Sequence, residues 1–174
     1  MFRRHPRPRA VADAAVGAAS GLAASFVMSA VYRPLMRAGG DETLRREKEA
    51  QAGMPPATIQ AAGAAAKAVG RELPPDRRSQ ALGGKVIHYA YGIAWGAAFA
   101  LALRAVAPRR PVATGLAFGL VLWLVSDEVL VPLFRFSRPP SRYPPSTHLK
   151  GLASHLVYGV ATDAGWRLAR APMR

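Results

Sequence analysis

Polar and apolar residues along this chain are gathered into long blocks instead of being interleaved. Residues 10–32 carry a single charge, Asp13, and in residues 86–103 only His88 can take one near neutral pH. Residues 112–134 are apolar except for the neighbouring acids Asp127 and Glu128. A fourth, shorter block, residues 151–166, is interrupted by His155 and Asp163. A helix that crosses a bilayer needs ~20 predominantly apolar residues, which the first and third blocks supply directly. The second and fourth reach that length if Lys85, Arg104, Lys150 and Arg167 extend their stems to the interface. The pattern predicts an all-α integral membrane bundle of about four transmembrane helices, near residues 10–33, 84–105, 111–134 and 149–168. Residues 1–174 form one membrane domain, with residues 35–83 as an extramembrane connector. The first block has the basic start of a signal peptide. It is long, however, and Met28-Ser29-Ala30 makes a poor cleavage site, so it is expected to remain as a helix.

The connectors have patterns of their own. Between Pro55-Pro56 and Pro74-Pro75 lies an alanine-rich stretch, residues 57–73, predicted to be a helix outside the bilayer or on its surface. Residues 135–149 hold four prolines and three arginines, which predicts an extended loop.

The blocks also repeat. Displaced by 98 positions, Gly17, Gly21, Leu22, Val27, Val31, Pro34 and Leu35 fall on Gly115, Gly119, Leu120, Val125, Val129, Pro132 and Leu133. Displaced by 67, His88-x-x-Tyr91-Gly92 falls on His155-x-x-Tyr158-Gly159. A duplicated helical hairpin would give this pattern, and two copies of an even number of helices keep one orientation in the membrane. Helices in lipid associate through close van der Waals fit and polar contacts, not through the hydrophobic effect. The pairs Gly17/Gly21, Gly92/Gly96 and Gly115/Gly119 each put two glycines on one helix face. Packing within the bundle is the preferred reading of these faces, and a homo-oligomer contact is the other.

Composition sharpens this picture at three points. Hydrophobic residues make up 51% of the chain, yet mean hydropathy is only +0.07, as expected when apolar blocks are joined by very polar connectors. The net charge is +14, with cations at block ends, where they would meet anionic lipid headgroups; no nucleic-acid-binding motif accompanies them. There is no cysteine, which removes disulfides, thiolate metal sites and cysteine nucleophiles. Four arginines in residues 1–9, three in residues 104–111 and three in residues 167–174 place both termini in the cytoplasm by the positive-inside rule. Arg135, Arg138, Arg142 and Lys150 in the third loop weigh against it.

Residues 120–159 combine Leu122-Trp123-Leu124-Val125-Ser126-Asp127-Glu128-Val129, Pro132-Leu133, a proline-rich loop and His155-Leu156-Val157-Tyr158-Gly159. With the earlier His88-x-x-Tyr91-Gly92, this resembles the YagU-like family of uncharacterised bacterial inner-membrane proteins. The resemblance covers most of the hydrophobic chain and little of residues 35–80. It implies a multi-pass inner-membrane protein and brings no reaction, substrate or catalytic residue.

Ionisable groups at membrane depth are costly and are suspects for function. Counted from the helix ends, His88, Asp127, Glu128 and His155 share one layer in the outer half of the bilayer. Pro132 cannot donate to the Glu128 carbonyl, which predicts a kink there. On a helical period His88, Gly92, Trp95 and Gly96 share a face, as do His155, Gly159 and Thr162. Asp127 flanks the Gly115/Gly119 face and Glu128 points nearly opposite, so Asp127 is the better partner for a bundle-facing histidine. Such a layer could relay protons or bind a cation during transport. It could hold a divalent metal, although no tight ligand spacing supports one, or its two histidines could ligate a haem. The preferred reading is inter-helix hydrogen-bond and salt-bridge glue, with no cofactor and no metal. Asp13 and Asp163 are expected to pair with Arg9 and Arg167. Phosphate-loop, zinc-protease and serine-hydrolase motifs are missing, so an enzyme is not expected. The expected function is a structural or accessory inner-membrane protein, and the alternative is a proton- or ion-coupled carrier or channel.

Overall fold

The computed structural model describes residues 7–51, 53–106 and 110–171. Most of the basic tail and the centre of the second short connector lie outside these residues. Helix α1 (Arg7–Arg37) is followed by α2 (Asp41–Gln51) and α3 (Ala57–Ala68), then by the long α4 (Arg77–Val106). Helix α5 (Pro111–Trp123) runs through a π-helical stretch, Leu124–Leu130, into the short α6 (Val131–Leu133). A 3₁₀ turn, Pro140–Arg142, leads to α7 (Pro145–Arg170). Among the described residues three segments are long and apolar enough to cross a membrane: Arg9–Arg37, Arg77–Arg104 and Val112–Leu133.

The bundle is built the opposite way round from a water-soluble one. Asp13, Ser20, Ser25, Ser126, Ser154, Thr162 and Asp163 are buried, while Phe26, Val86, Leu101, Val121, Leu124 and Val129 are exposed. Water would penalise that outer surface, whereas acyl chains solvate it as well as another helix would.

Two crossings without side chains set the closeness of the helices. Gly17 and Gly21 of α1 lie on Gly96 and Gly92 of α4, so close that a Cβ placed on Gly96 would sit 2.7 Å from the Gly21 Cα. Gly115 and Gly119 of α5 lie on α7, where a Cβ on Gly115 would sit 2.7 Å from the Val160 Cα and one on Gly119 2.8 Å from the Leu156 Cα. The glycine faces are therefore occupied inside one chain and are not free for a second copy. Helix α7 also packs along α1. Between α4 and α5 the gap is filled by aromatic rings, Phe118 lying 4.5 Å from Phe99 and 6.3 Å from Trp95 between ring centroids.

The connector is more ordered than its polarity suggests. Asp76 caps α4, its Oδ1 accepting the Ser79 N–H at 2.9 Å. That bond, with the Ser79 hydroxyl, holds the Asp76 carboxyl below the usual carboxylate range. Helix α3 is seated on the start of α4, with Ala62 against Gly83 and Ile59 against Gly84. Gln60 Nε2 donates to the carbonyls of Pro55 and Phe136, both at 2.8 Å, tying α3 to the loop that leaves α6. That loop closes α6 through Arg135 N–H to Pro132 O and Phe136 N–H to Val131 O, with Arg135 left-handed at φ 60°. Helix α2 was not foreseen. It is polar all round and laced by exposed pairs of Arg45 and Arg46 with Glu42 and Glu49.

Two expected partnerships are replaced. Lys150 does not reach for the interface: it is only 7% exposed, and its Nζ lies 2.7 Å from Glu47 Oε2 of α2. Asp13 meets Arg104 at 3.4 Å and also Arg170, pinning the start of α1 to the ends of α4 and α7. Arg167 Nε donates to Asp163, as the i, i+4 spacing predicts.

Candidate functional site

The polar residues of interest lie at the connector end of the bundle, around the π-helical stretch of the third apolar segment. Pro132 has no N–H, and in a regular α-helix its ring would press on the carbonyl four residues back. The chain answers with a wider turn, not a simple kink. The N–H of Val131 donates to Ser126 O, five residues earlier, and regular helix resumes at Val131. Three consecutive polar side chains of this stretch face three different surroundings.

Ser126 points inward and is 4% exposed, its Oγ lying 2.8 Å from the Tyr91 hydroxyl of α4. Glu128 turns towards the start of α7, where its Oε1 lies 2.7 Å from His148 Nδ1. The other ring nitrogen, Nε2, donates to Pro140 O at 3.1 Å. A carbonyl can only accept, so the remaining proton is held between the imidazole and the carboxylate. Partial burial would lower the His148 pKa. The Glu128 carboxylate, with the Pro140 and Tyr143 backbone, outweighs it and holds the group above the ordinary histidine value of 6.5.

Asp127 is placed differently. It forms no hydrogen bond among the described residues, and the closest basic side chain is His155, whose Nδ1 lies 3.7 Å from Oδ2. That Nδ1–H is already donated to Gly151 O at 2.9 Å. The Asp127 side chain keeps 40% of its surface open. It faces a cavity of about 360 Å³ bounded by the end of α1, by α2 and by the start of α7, with Tyr32, Glu47, Tyr143 and Thr147 also in its wall. Trp123 Nε1 and Asp127 Oδ2 both approach Gly151, where an added Cβ would lie 3.2 Å from each.

His88 is spent elsewhere. Ser29 Oγ donates to Ser25 O at 2.8 Å, so its lone pair receives the Nε2–H of His88 at 3.2 Å. The four candidate residues are thus brought to one end of the bundle but not to one centre. His155 and Asp127 are neighbours, Glu128 belongs with His148, and His88 with Ser29. Among the described residues no group of three histidine or acidic side chains is placed to hold a metal ion.

Several contributors were missed by the sequence reading. His148 falls in the proline-rich stretch that the pattern predicts as a loop, and its only signal is that Glu128 points nearly opposite the Gly115/Gly119 face. Tyr158 was seen only as part of the repeated motif. It is buried, and its hydroxyl donates to Gly92 O at 2.6 Å, bridging the two glycine hairpins. Glu47 comes from a connector about which the apolar pattern says nothing.

Compared with known families, residues 35–164 match a family model described as a protein of unknown function, DUF1440. The chain belongs to this family. The match includes the connector and leaves most of α1 outside, a different coverage from the one the motifs suggested. No curated protein and no solved structure matches the chain. With three apolar helices of spanning length, this DUF1440 member is a multi-pass membrane protein.

Proposed function

We propose that this DUF1440 protein is a structural or accessory component of a bacterial inner membrane, non-enzymatic, crossing four times with both termini in the cytoplasm. One observation carries the reading: polar groups at membrane depth are spent on holding one helix to another. Tyr91 reaches Ser126, Tyr158 reaches Gly92 O and His88 reaches Ser29, each between different helices. Packing and interhelical hydrogen bonds are what bind helices in lipid.

Helix α7 is the fourth span in this reading. Its 26 residues rise about 39 Å at 1.5 Å each, enough for a hydrocarbon core of about 30 Å. Part of its modest hydropathy comes from polar residues that it buries within the bundle, Ser154, Thr162 and Asp163. The same reading makes the two glycine hairpins a duplication within a YagU-like protein. The second hairpin is slipped by one turn, because the counterpart of Gly96 is Asp163, which cannot enter a backbone crossing, and Gly159 takes that place against Gly115. The cationic helix ends are suited to anionic headgroups.

A second reading, a proton- or ion-coupled carrier, is favoured by Asp127, whose carboxylate opens on a cavity. Proteoliposomes separate the two. The structural role predicts no pH- or voltage-dependent flux above protein-free vesicles, with Asp127→Asn and His155→Ala affecting only stability or assembly. A flux abolished by those substitutions in folded protein establishes the carrier instead.

A further inference from the structure

We propose that the cavity beneath α2 is a binding site for a small organic monocation, an alkylammonium-like group on a compact apolar body. The proposal goes beyond the structural role and does not depend on whether anything is transported.

Size, lining and one carboxylate without a hydrogen-bond partner among the described residues point the same way. About 360 Å³ lies at the small end of the range for small-molecule pockets, about 300–1,000 Å³. The wall contains two acids, Glu47 and Asp127, and one cation, Lys48. Glu47 is committed to the buried Lys150 at 2.7 Å. Asp127 is not committed in that way, since the nearest basic nitrogen, His155 Nδ1 at 3.7 Å, donates to a backbone carbonyl. An exposed carboxylate in water needs no partner, but one recessed at the membrane end of a bundle gains strongly from an ammonium group. Tyr32 and Tyr143 line the same wall, and aromatic residues beside a carboxylate suit an organic cation. Met36 and Leu44 supply apolar surface that a bare inorganic ion could not use. A metal ion is also poorly served, because no group of three histidine or acidic side chains is present among the described residues.

The roof gives the site a means of entry. Helix α2 is exposed along most of its length and reaches α7 through the Glu47–Lys150 pair, so it can lift without disturbing the glycine crossings.

The test uses the full-length protein in phosphatidylcholine nanodiscs, with cyclohexylammonium as the probe and cyclohexanol as its neutral counterpart. Binding is followed calorimetrically and by fluorescence, since the Trp123 indole stands beside Asp127 across Gly151. Saturable binding of cyclohexylammonium is expected, at least tenfold weaker for cyclohexanol and for Asp127→Asn. Leu44→Trp, which fills the cavity from α2, should lose binding as well and guards against misfolding of the Asp127 variant. Glu128→Gln, whose side chain does not line the cavity, should bind normally. Equal binding of the neutral probe, unchanged binding by folded Asp127→Asn, competition by potassium or sodium at the same concentration, or no saturable signal from folded wild-type protein would each overturn the proposal.

Discussion

At the level of single residues, the membrane end of the bundle is governed by which acceptor each proton finds. His148 is held between a carboxylate and a carbonyl, an arrangement that favours its protonated form. Its pKa is therefore higher in the folded protein than in the unfolded chain. The stability this adds is fully present below the unfolded value, about 6.5, and is lost as pH rises through the raised folded value. Thermal unfolding in detergent across pH 6 to about 9 should show a declining contribution that His148→Gln removes, since glutamine does not titrate. A variant whose melting temperature follows the same pH profile as wild type would show that His148 and Glu128 are not coupled. Asp127, one residue away, has no such anchor, since successive residues of a helix face different neighbours.

At the level of elements, close helix contact follows from missing side chains. A Cβ at Gly119 would lie 2.8 Å from the Leu156 Cα and 2.9 Å from the His155 carbonyl carbon, and backbone cannot step aside as a side chain can. Gly119→Ala is expected to destabilise the bundle by about 2 kcal/mol, in the range of overpacked cores. Gly63 in α3 has nothing within 4 Å of the same built atom. There the substitution only removes glycine's backbone freedom in a helix, so Gly63→Ala should stabilise by roughly 0.5–1 kcal/mol. Unfolding titrations of both variants in mixed micelles would measure the contrast, and equal effects at the two sites would contradict the crossing geometry.

Across the whole molecule, contacts far apart in sequence close both ends of the bundle. Asp13 joins α1 to α4 and α7 at one end, and Glu47 joins the connector to α7 at the other. Lys150→Met leaves the Glu47 charge buried without its cation. Removing one partner of a buried pair costs about 3–5 kcal/mol when the other charge must stay inside. Glu47 can avoid that by leaving, because α2 has no other buried residue. Hydrogen exchange should therefore accelerate in residues 41–51 and stay slow in α4 and α5. Acceleration spread evenly over the bundle would mean that the pair supports the whole fold and not the seating of α2.

The amino-acid sequence determined the properties that add up locally. Hydropathy summed over ~20 residues marked four apolar blocks, three of which are helices of spanning length among the described residues, and a spacing of four put each glycine pair on one helix face, whatever the rest of the chain does. Asp127 and Glu128 were legible as membrane-depth acids for the same reason. Their partners were not, because a partnership depends on the relative rotation and register of separate helices. Only the tertiary structure turned Glu128 to a histidine in the first turn of α7, left Asp127 facing a cavity, and carried Glu47 from a polar connector onto Lys150. It also set Gly96 against Gly17 and Gly159 against Gly115, in contacts that have room only for backbone.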